Sequence, residues 1–539
     1  MTTLTPRRIG ALALAACLST ALPVQAQSPT AERISNQVQR LSTSGVDAQV
    51  ALDSLGNATA VWVGHPAYAI RYAERRPAGS FGFVRAVRGV GTVSEMVFAA
   101  APNGNAIIGW TDIADDYLMK VAVRRGRNAD FGPAQVIGGG ATVAAAPHFP
   151  AVAISSSGRA VAAWTDGVDG VHAALSSTVG RFGPQVTVST GNGDLDTPEV
   201  GIDAAGRAMV VWEKRGASTL VQSVSAPAGA GFGSTQTIVD LAQSFTSKPE
   251  LAVNQDGDAL LAYRNGSNLA ARMGSVTGPF AGEQDLGAEV YDFEVAIDDS
   301  GIGGLVTGLV TGGDASVRGA VTNPGGVFGP TQLISDADAV AGPSVDEERL
   351  AIAAGGGEFS VFFGNDHEGT GTTNEPFTSS TTDGVFGTVR RLSLPDADAD
   401  SVASVHGARS ATGQDVGVWS RWDGAAYTVH ASPVVPDTVA PTARNVSVRP
   451  NPYRAGAGRL KISFTPSEEV KATVLVTRNG KKVAKLLASA LLRGDRVAVA
   501  SWNGRHNGRR VAPGTYRFKI MLVDAARHSA TKGGQFRVR

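Results

Sequence analysis

The side chains with the clearest potential for chemistry lie in one insertion between repeated segments, Gly364 to Pro376. It contains Asp366, His367, Glu368 and Glu375. Carboxylates and an imidazole on one loop can exchange protons with a substrate or hold a polar ligand. If the chain has a binding site on a loop, we expect Asp366, His367 and Glu368 to form it.

A second candidate is the run Asp396-Ala-Asp-Ala-Asp400, which places Asp396, Asp398 and Asp400 at alternate positions. Calcium loops use this spacing because a turn brings positions 1, 3 and 5 onto one ion. Ser401 stands where an EF-hand needs glycine, and Gly407 stands where it needs glutamate. The run is therefore not an EF-hand. It leaves open a calcium site of another kind, and no other cofactor is indicated.

Common catalytic signatures are missing from the sequence. The eight histidines never pair at the spacing of a helical zinc site, and there is no Gly-x-Ser-x-Gly elbow, phosphate loop or dinucleotide fingerprint. These observations favour a protein that is not an enzyme, although they do not decide the question.

An internal repeat organises most of the chain. The run from Pro150 to Trp164 consists of an alternating apolar segment, a polar turn ending in Gly, and a second segment ending in an aromatic residue. Near copies span 198–212 and 249–263. With the closing residue as a marker, eight units follow one another, with markers at Trp62, Trp110, Trp164, Trp212, Tyr263, Thr307, Phe363 and Trp419. Most units also carry a Phe-Gly pair before a further short apolar run.

Each complete unit thus contains four short strand candidates with an alternating pattern. Four antiparallel strands repeated every ~40–50 residues are typical of a β-propeller. The last unit lacks its fourth strand, and the segment Ile34 to Ser42 would supply it and close the ring. We predict an all-β chain: an eight-bladed β-propeller over residues 27–432, with seven blades as the alternative, followed by an Ig-like β-sandwich.

The turn cycle resembles the Asp-box repeats of sialidase-type propellers and the repeat propellers of secreted bacterial proteins. In this sequence Gly and the aromatic residue are six positions apart and the Thr of the Asp-box is absent. The resemblance therefore implies the shape and not sialidase chemistry.

Three glutamates, Glu199, Glu250 and Glu294, recur at equivalent places in first strands, which line the central channel of a propeller. They could form a carboxylate cluster for acid–base chemistry, or they could be residues at the start of a strand that face water. The regular units favour a non-enzymatic binding protein or scaffold that presents its loops to a protein or glycan. The alternative is a secreted carbohydrate-active enzyme, a hydrolase or lyase, with carboxylates at the channel.

The strand order also predicts where charges lie. Links that include Asp112 and Asp166 leave the propeller on one face, and links that include Arg75, Arg124 and Arg127 leave it on the other. One interpretation is an acidic face opposite a mildly basic one. The other is that these loops are simply polar and hydrated.

Residues 1–26 have the pattern of a secretory signal peptide: two arginines, an apolar run, and a small-residue cleavage site ending at Ala26. The segment Leu14-Ala-Ala-Cys17 resembles a lipoprotein box, so lipid anchoring through Cys17 is a less favoured alternative. We expect a secreted or cell-surface protein. Because Cys17 is the only cysteine, the mature chain would contain no disulfide.

A Pro-rich linker, 433–443, precedes a basic segment, 444–539. From Ala440 to Arg539 the chain has 21 Lys and Arg against 4 Asp and Glu, a net charge of +17, which balances −17 in the remainder. We expect a monomer in which an unknown protein or glycan binds the propeller. The basic domain could bind an anionic cell-surface polymer, outer lipids or the acidic face of the propeller, or it could simply be a basic, hydrated β-sandwich. An exported location argues against a nucleic-acid partner.

The basic segment carries a specific pattern: Trp502-Asn-Gly504, then Gly508, then Val511-Ala-Pro-Gly-Thr-Tyr516. This pattern resembles the Ig-like domain of the flagellar hook-capping family, which is also appended to many secreted bacterial proteins. The match spans about Val446 to Val538. It implies an Ig-like fold and the role of an accessory or surface-attachment module, with no catalytic residues.

Overall fold

The computed structural model describes residues 38–77, 79–114, 117–139, 146–166, 170–189, 194–241, 248–288, 290–311, 314–336, 350–366, 374–387, 389–392, 402–433, 440–467, 470–492, 496–523 and 528–539. Every regular element in these ranges is a β-strand, which confirms the predicted all-β class. The same ranges contain no helix of the length and apolar character needed to span a membrane.

Residues 39–433 form eight antiparallel sheets, numbered here in chain order. The strand β1 (Gln39–Ser42) belongs to sheet 8. Sheets 1 to 4 comprise β2 (Gly45–Leu52), β3 (Ala58–Gly64), β4 (Ala69–Arg75), β5 (Arg85–Ala86); β6 (Val93–Ala100), β7 (Ala106–Asp112), β8 (Leu118–Arg124), β9 (Gln135–Gly139); β10 (His148–Ile154), β11 (Ala160–Thr165), β12 (Val171–Leu175), β13 (Val186–Thr187); and β14 (Asp194–Ile202), β15 (Ala208–Arg215), β16 (Thr219–Ala226), β17 (Gln236–Leu241).

Sheets 5 to 8 continue the same up-and-down order. They comprise β18 (Glu250–Val253), β19 (Asp258–Asn265), β20 (Asn268–Ser275), β21 (Gln284–Ala288); β22 (Val290–Ile297), β23 (Gly303–Thr311), β24 (Asp314–Val321), β25 (Gln332–Asp336); β26 (Leu350–Gly355), β27 (Glu358–Asp366), β28 (Asn374–Thr382), β29 (Val385–Phe386), β30 (Arg390–Arg391); and β31 (Val402–Arg409), β32 (Asp415–Trp422), β33 (Tyr427–Pro433), with β1.

The sheets close into a ring. The first strand of each sheet packs against the first strands of both neighbouring sheets, so these eight strands surround the central axis. An apolar core lies between every two neighbouring sheets, including sheets 8 and 1. This arrangement is a β-propeller. We call the face with the second-to-third and fourth-to-first strand links the upper face, and the opposite face the lower face.

The repeated aromatic residues build the cores between sheets. Five of the markers are tryptophans at most 1% exposed: Trp62, Trp110, Trp164, Trp212 and Trp419. Each packs in the core that its sheet shares with the preceding sheet. Burying a side chain of this size is worth several kcal/mol per position, at about 25 cal/mol per Å² of apolar surface. The repeated tryptophans are therefore structural and do not form a sugar-stacking platform.

The turn between the first two strands of each sheet faces the lower side. In sheet 1, Asp53 Oδ1 accepts the backbone N–H groups of Leu55 (2.9 Å) and Asn57 (3.0 Å). Gly56 follows with a φ of 78°, a left-handed conformation that costs glycine little. The N–H of Ser54 donates to the Pro102 carbonyl of sheet 2 (2.8 Å), so the turn also ties neighbouring sheets together.

In several sheets a glutamine of the fourth strand forms hydrogen bonds to the next sheet. Gln39 of β1 donates from Nε2 to the Phe81 carbonyl and accepts the Phe81 N–H at Oε1, both at 2.8 Å. Because Phe81 belongs to sheet 1, this pair joins the sheet that β1 completes to the first sheet of the ring. A similar pair recurs at Gln284 and Gln332, whose Oε1 atoms accept the N–H groups of Phe328 and Phe386 and whose Nε2 atoms donate to the Gly326 and Gly384 carbonyls.

Residues 443–538 form a second unit, the C-terminal unit. One sheet contains β34 (Ala443–Arg449), β35 (Leu460–Pro466) and β38 (Ala498–Trp502); the other contains β37 (Lys481–Leu492), β36 (Val470–Arg478), β41 (Gly514–Val523) and β42 (Ser529–Val538); a small hairpin pairs β39 (Arg505–His506) with β40 (Arg509–Arg510). Both larger sheets contribute to one apolar core.

The motif residues of the C-terminal unit are core and turn residues. Trp502 lies 5.7 Å from Tyr516 and 6.0 Å from Phe536 between ring centroids. Gly504 has a φ of 70°, and a Cβ there would lie 2.8 Å from the Tyr453 ring, so only glycine fits the turn. At the Asn479-Gly480 turn between β36 and β37 both residues have positive φ, as a tight hairpin requires.

The C-terminal unit contacts the lower side of sheets 1 and 2. Arg76 Nη1 donates to the Ser467 carbonyl and Arg496 Nη2 to the Asn128 carbonyl, both at 2.7 Å. The Lys471 ammonium lies 4.3 Å from the centroid of the Phe83 ring. These contacts leave the upper face of the propeller uncovered by the C-terminal unit.

We predict that Gln39→Ala weakens ring closure. The substitution removes two hydrogen bonds between sheets 8 and 1 and should lower the free energy of unfolding by about 1–3 kcal/mol. Chemical denaturation measures this change. Gln236→Ala is the matched control, because the Gln236 amide donates only to Ser234 within its own sheet. Equal losses of unfolding free energy in the two variants would contradict a special role of the Gln39 hydrogen bonds in ring closure.

Candidate functional site

The upper mouth of the central channel is framed by strained backbone. In sheets 1, 3 and 4 the first strand carries a β-bulge near its upper end. Its first bulged residue has left-handed φ: 51° at Asp47, 51° at Phe149 and 37° at Thr197. Lys248 takes the same conformation, with a φ of 43°, just before sheet 5. Such backbone costs a non-glycine residue roughly 1–3 kcal/mol, so the surrounding structure must hold it in place.

The prolines that open the repeat follow these residues. Pro150, Pro198 and Pro249 each come directly after a left-handed residue. A bulge is one of the few places in a sheet that tolerates proline, because a bulged residue need not donate a ladder hydrogen bond. The repeated proline therefore marks the bulge at the mouth.

The eight first strands contribute a ring of side chains at one equivalent position. In sheets 1, 3, 4 and 5 this position is two residues after the left-handed residue. Each lies opposite the residue that precedes the marker. The eight members are Gln49, Val97, Ala151, Glu199, Glu250, Glu294, Ala351 and His406. The predicted equivalence of the three glutamates is thus confirmed. All three are partly buried, and each is engaged by neighbouring groups, so they are not simply residues at the start of a strand that face water.

A buried ionic network links sheets 4, 5 and 6 beside the mouth. The Lys248 ammonium contacts the Asp292 carboxylate and lies 3.9 Å from Glu250, and these side chains are 9%, 2% and 15% exposed. The Lys248 N–H donates to Glu213 Oε2 at 3.0 Å, and Glu213 also lies 2.8 Å from Arg215 Nε. Because cations neutralise these carboxylates, they are not arranged as a free acid and base.

Asp112, predicted to contribute to an acidic face, is instead fully buried. It lies 2.7 Å from the Lys120 ammonium and accepts the N–H groups of Gly91 (2.9 Å) and Thr92 (3.0 Å). Burial by itself raises the pKa of Asp112, but the Lys120 ammonium and the backbone donors outweigh it and lower the pKa. Its charge stabilises the sheet and adds nothing to the surface.

Asp166 is also buried and begins a chain of polar contacts in sheet 3. Its Oδ2 lies 2.8 Å from His172 Nε2, and His172 Nδ1 lies 3.2 Å from Thr187 Oγ1. Acid, imidazole and hydroxyl in this order match a hydrolytic triad only in composition. The His172 position, opposite the buried tryptophan, is filled by Lys120 in sheet 2 and Gln222 in sheet 4. A polar residue opposite the buried tryptophan is therefore a repeated feature of the sheets, and the contacts of His172 are one example of it.

Part of the predicted basic face is likewise neutralised within the protein. Arg75 is buried and donates to the Gly79 carbonyl, while Arg124 is buried and lies 2.8 Å from Glu74. Arg127 pairs with Asp53 at 2.5 Å. These three arginines join turns and sheets and add little to a basic surface, whereas Arg125 and Arg181 on the same face are exposed.

Exposed aromatic side chains mark the upper face. Within the described ranges, all four exposed Phe, Tyr and Trp side chains lie there: Tyr68, Phe149, Trp422 and Tyr427, between 39% and 48% exposed. Trp422 and Tyr427 pair edge to face on the same hairpin of sheet 8, 5.0 Å apart between centroids. In neighbouring sheet 1, Tyr68 packs edge to face on His65 at 4.5 Å. These rings form paired platforms open to solvent.

At the lower end of the channel lies a cavity of about 150 Å³ lined by sheets 1, 2, 6, 7 and 8. Its acidic lining includes Asp298 and Asp299. Burial raises the pKa of Asp299, as do the neighbouring Asp298 and Asp256 carboxylates. Arg409, also in the lining, pairs with Asp415 at 3.0 Å.

The sites singled out in the sequence fall mostly beyond the described chain. His367 and Glu368 lie outside the described residues, and Asp366 is the last residue of β27, without a described side chain. Asp396, Asp398 and Asp400 also lie outside. Among the described side chains no group of three or more His, Cys, Asp or Glu is arranged to hold a metal ion.

The aromatic platforms were not singled out in the sequence, although it contains a signal for them. The tryptophans that recur at the marker position are buried, whereas Trp422 lies three residues after its marker and Tyr68 six residues after Trp62. A tyrosine at or directly before the start of the third strand recurs in three neighbouring sheets, as Tyr427, Tyr68 and Tyr117. Because it lies at the second-to-third strand link and not at the buried marker position, its recurrence in part of the ring is the signal that points to this surface.

Comparisons with known proteins show similarity in fold at very low sequence identity. No family model and no curated protein matches the chain. A lectin from Burkholderia pseudomallei is 10% identical with a TM-score of 0.44, over 65% of this chain and 98% of the lectin. The β-propeller domain of the trilobed protease from Pyrococcus furiosus is 9% identical with a TM-score of 0.39, over 66% of this chain and 100% of that domain.

An ulvan lyase, described as a member of a new family of polysaccharide lyases, is also similar. It is 11% identical with a TM-score of 0.41, over 74% of this chain and 95% of the lyase. A lectin and a lyase thus occur among the similar structures, and they do not distinguish binding from catalysis for this chain.

We predict that Lys248→Met destabilises the propeller by about 3–5 kcal/mol, because the buried Asp292 carboxylate would lose its cation. Chemical denaturation measures the loss. The double variant Lys248→Met/Asp292→Leu should recover most of the stability, since it removes the buried charge together with its partner. If the double variant were as unstable as the single one, packing and not the ion pair would explain the effect.

We also predict an acid-dependent loss of stability in sheet 8. Burial lowers the pKa of His406 to about 4, and burial followed by the Arg421 and Arg40 charges lowers that of His430 to about 4. Both start from about 6.5 in the unfolded chain. The folded state then binds fewer protons, so their contribution is complete above about pH 6.5, declines as the pH falls toward 4, and changes no further below it.

Denaturation from pH 4 to 8 tests this dependence. The double variant His406→Gln/His430→Gln should lose less stability over that interval than the unmodified protein. His506→Gln, in the C-terminal unit, is the control and should leave the profile unchanged. Parallel pH profiles for the unmodified and double-variant proteins would contradict the assignment.

Proposed function

We propose that this chain is an exported, non-enzymatic binding protein whose propeller presents its upper face to a glycan. The observation that carries the proposal is the collection of exposed aromatic side chains on that single face. Sugar rings have apolar faces that stack on aromatic rings, and ring hydroxyl groups can bond the polar groups around them. Such rings exposed to water on one face mark a surface made for a partner.

The arrangement of the rings supports a ligand that extends across more than one sheet. The Trp422–Tyr427 pair and the His65–Tyr68 pair lie on corresponding hairpins of sheets 8 and 1, which are neighbours in the ring. Phe149, at the bulge of sheet 3, offers a third ring at the mouth. Several weak stacking contacts on a rigid scaffold suit an oligosaccharide better than a single sugar.

The buried ionic network favours binding over catalysis. A glycosidase needs one carboxylic acid and one carboxylate at a defined separation around the substrate. At the upper mouth, Asp292 and Glu250 lie around the Lys248 ammonium, and Glu213 lies against Arg215. These contacts give the carboxylates a structural role. The carbohydrate-active enzyme considered above therefore remains the alternative.

The remaining parts of the proposal rest on sequence. The signal pattern of residues 1–26 supports export, and the motif around Trp502 and Tyr516 supports an Ig-like accessory unit that attaches the protein to a surface. In this proposal the propeller recognises the ligand, and the C-terminal unit positions it.

We predict that Trp422→Ala/Tyr427→Ala weakens glycan binding about tenfold or more, since each stacked ring contributes about 0.5–1.5 kcal/mol beyond its buried area. An array of neutral glycans identifies the ligand, and calorimetry of the full chain measures the dissociation constant. Leu55→Ala and Val327→Ala remove apolar side chains 60% and 55% exposed on the lower face and serve as matched controls.

Two results would contradict the proposal. One is unchanged binding by the aromatic variant with loss of binding in the lower-face controls. The other is release of new sugar ends from a bound polysaccharide by the unmodified protein, which would favour the enzyme alternative. Thermal unfolding of each variant shows whether an effect on binding reflects a change in folding.

A further inference from the structure

The four-stranded sheet of the C-terminal unit covers its core with one face and leaves the other open. Along β41 the buried residues Tyr516, Phe518, Ile520 and Leu522 alternate with outward-facing residues. Along β36 the buried residues Val474 and Val476 also alternate with outward-facing residues. The opposite face of this sheet therefore consists of the intervening side chains, which no other element of the described unit covers.

This open face carries a grid of cations, which we call the basic face. Its members are Lys482, Lys485, Arg517 and Lys519, and all four are exposed. Lys485 and Lys519 flank Leu475 in one cross-strand row, while Lys482 and Arg517 flank Thr477 in the next. Members of a row are two strands apart, about 10 Å, and successive rows are about 7 Å apart along the strands.

Nothing in the described unit neutralises the basic face. The four cations make no ion pair with any described residue. The four acidic residues of this segment, Glu468, Glu469, Asp495 and Asp524, lie outside the described residues. Arg124 and Arg127 of the propeller differ in this respect, because carboxylates hold them. Like charges this close repel one another, so an anion bound among them would relieve an unfavourable field.

The basic face also lies away from the propeller. Lys471, which contacts Phe83 of sheet 1, is at the start of β36. Leu475 and Thr477, at the centres of the two rows, lie four and six residues further along the same strand. At about 3.3 Å per residue, the rows are about 13 and 20 Å from that contact. Docking of the two units therefore leaves the basic face accessible.

We propose that the basic face binds an extended acidic polysaccharide, one whose carboxylate or sulfate groups repeat along the chain. A flat grid of point charges suits a chain that presents charge at regular intervals, and it supplies affinity through the summed field. This inference deepens the proposed attachment role of the C-terminal unit and rests on it. It assigns that role to four side chains and one class of polymer.

Two other polyanions fit the face less well. Proteins that bind single-stranded nucleic acid stack bases on aromatic rings, and those that read duplexes insert a helix or ribbon into a groove. The basic face has Leu475 and Thr477 between its cations and is a flat sheet. Attachment to a lipid surface usually adds apolar side chains that enter the acyl region, and Leu475 is partly buried within the sheet.

The test uses the full chain and immobilised polygalacturonate as the probe. The variant Lys485→Gln/Arg517→Gln/Lys519→Gln should bind at least about tenfold more weakly at low salt, because three exposed charges act together on one polymer. The control Arg454→Gln/Arg459→Gln/Lys461→Gln removes the same charge from exposed residues near the other sheet and should lose less than about threefold. Binding of the unmodified protein should weaken as salt screens it.

The proposal is overturned if both triple variants lose affinity equally, or if the basic-face variant binds polygalacturonate as the unmodified protein does. It is also overturned if anionic phospholipid vesicles or oligothymidine bind more tightly than polygalacturonate at equal charge. Should the triple variant melt at a lower temperature, the three single variants replace it, each with an expected loss of about twofold.

The same proteins separate this inference from the glycan-binding proposal. Trp422→Ala/Tyr427→Ala should bind polygalacturonate normally, and the basic-face variant should bind the neutral glycan normally. If neutral-glycan binding is absent while polygalacturonate binding depends on the basic face, the propeller proposal fails and the basic-face assignment stands.

Discussion

Closure of the ring is the constraint on which the rest of the structure depends. A four-stranded sheet has two faces to bury, and each sheet of the propeller obtains both neighbours only when sheet 8 packs on sheet 1. The strand Gln39–Ser42 provides that closure by pairing with β33. Its Gln39 side chain then bonds to Phe81, so one short strand joins the two ends of the ring through backbone and side chain. The strained residues at the upper mouth are held between sheets that closure fixes.

The division between structural and exposed groups follows from the repeat. Side chains that recur from sheet to sheet face the neighbouring sheet, because the neighbouring sheet is the one environment that all units share. The tryptophans and the fourth-strand glutamines are of this kind. The tyrosine at or directly before the start of the third strand recurs in the neighbouring sheets 8, 1 and 2, as Tyr427, Tyr68 and Tyr117, and two of the three are exposed. Trp422 stands in sheet 8 where sheets 1 and 2 have His65 and Ile113, and it projects into solvent. A surface that recognises one ligand must break the symmetry of the ring, and these residues distinguish three neighbouring sheets from the others on one face.

The sequence was sufficient to predict the all-β propeller fold because local, repeated sequence patterns specify it. The marker residues, the polar turns that end in Gly and the four short strands of each unit depend on neighbours close in sequence, and the structure contains them as predicted. The locations of charged side chains were predicted less well. Asp112 and Arg124 were assigned to polar surfaces, yet both are buried beside partners. Alternation identifies apolar core positions, but it cannot identify an ion pair formed across strands or sheets.

The two exposed surfaces are the aromatic platforms of the propeller and the basic face of the C-terminal unit. Their relative position is fixed by the contacts between the two units, which also keep them apart. The C-terminal unit meets the lower side of sheets 1 and 2 through Arg76, Arg496 and Lys471, and the aromatic platforms occupy the upper face. A ligand on either surface therefore does not block the other. If an acidic polymer holds the basic face, the propeller is confined near that polymer, and the local concentration of its upper face toward glycans of the same surface rises. Weak stacking contacts would then be sufficient for stable attachment, because the basic face supplies the long-range attraction and the aromatic rings supply the selectivity.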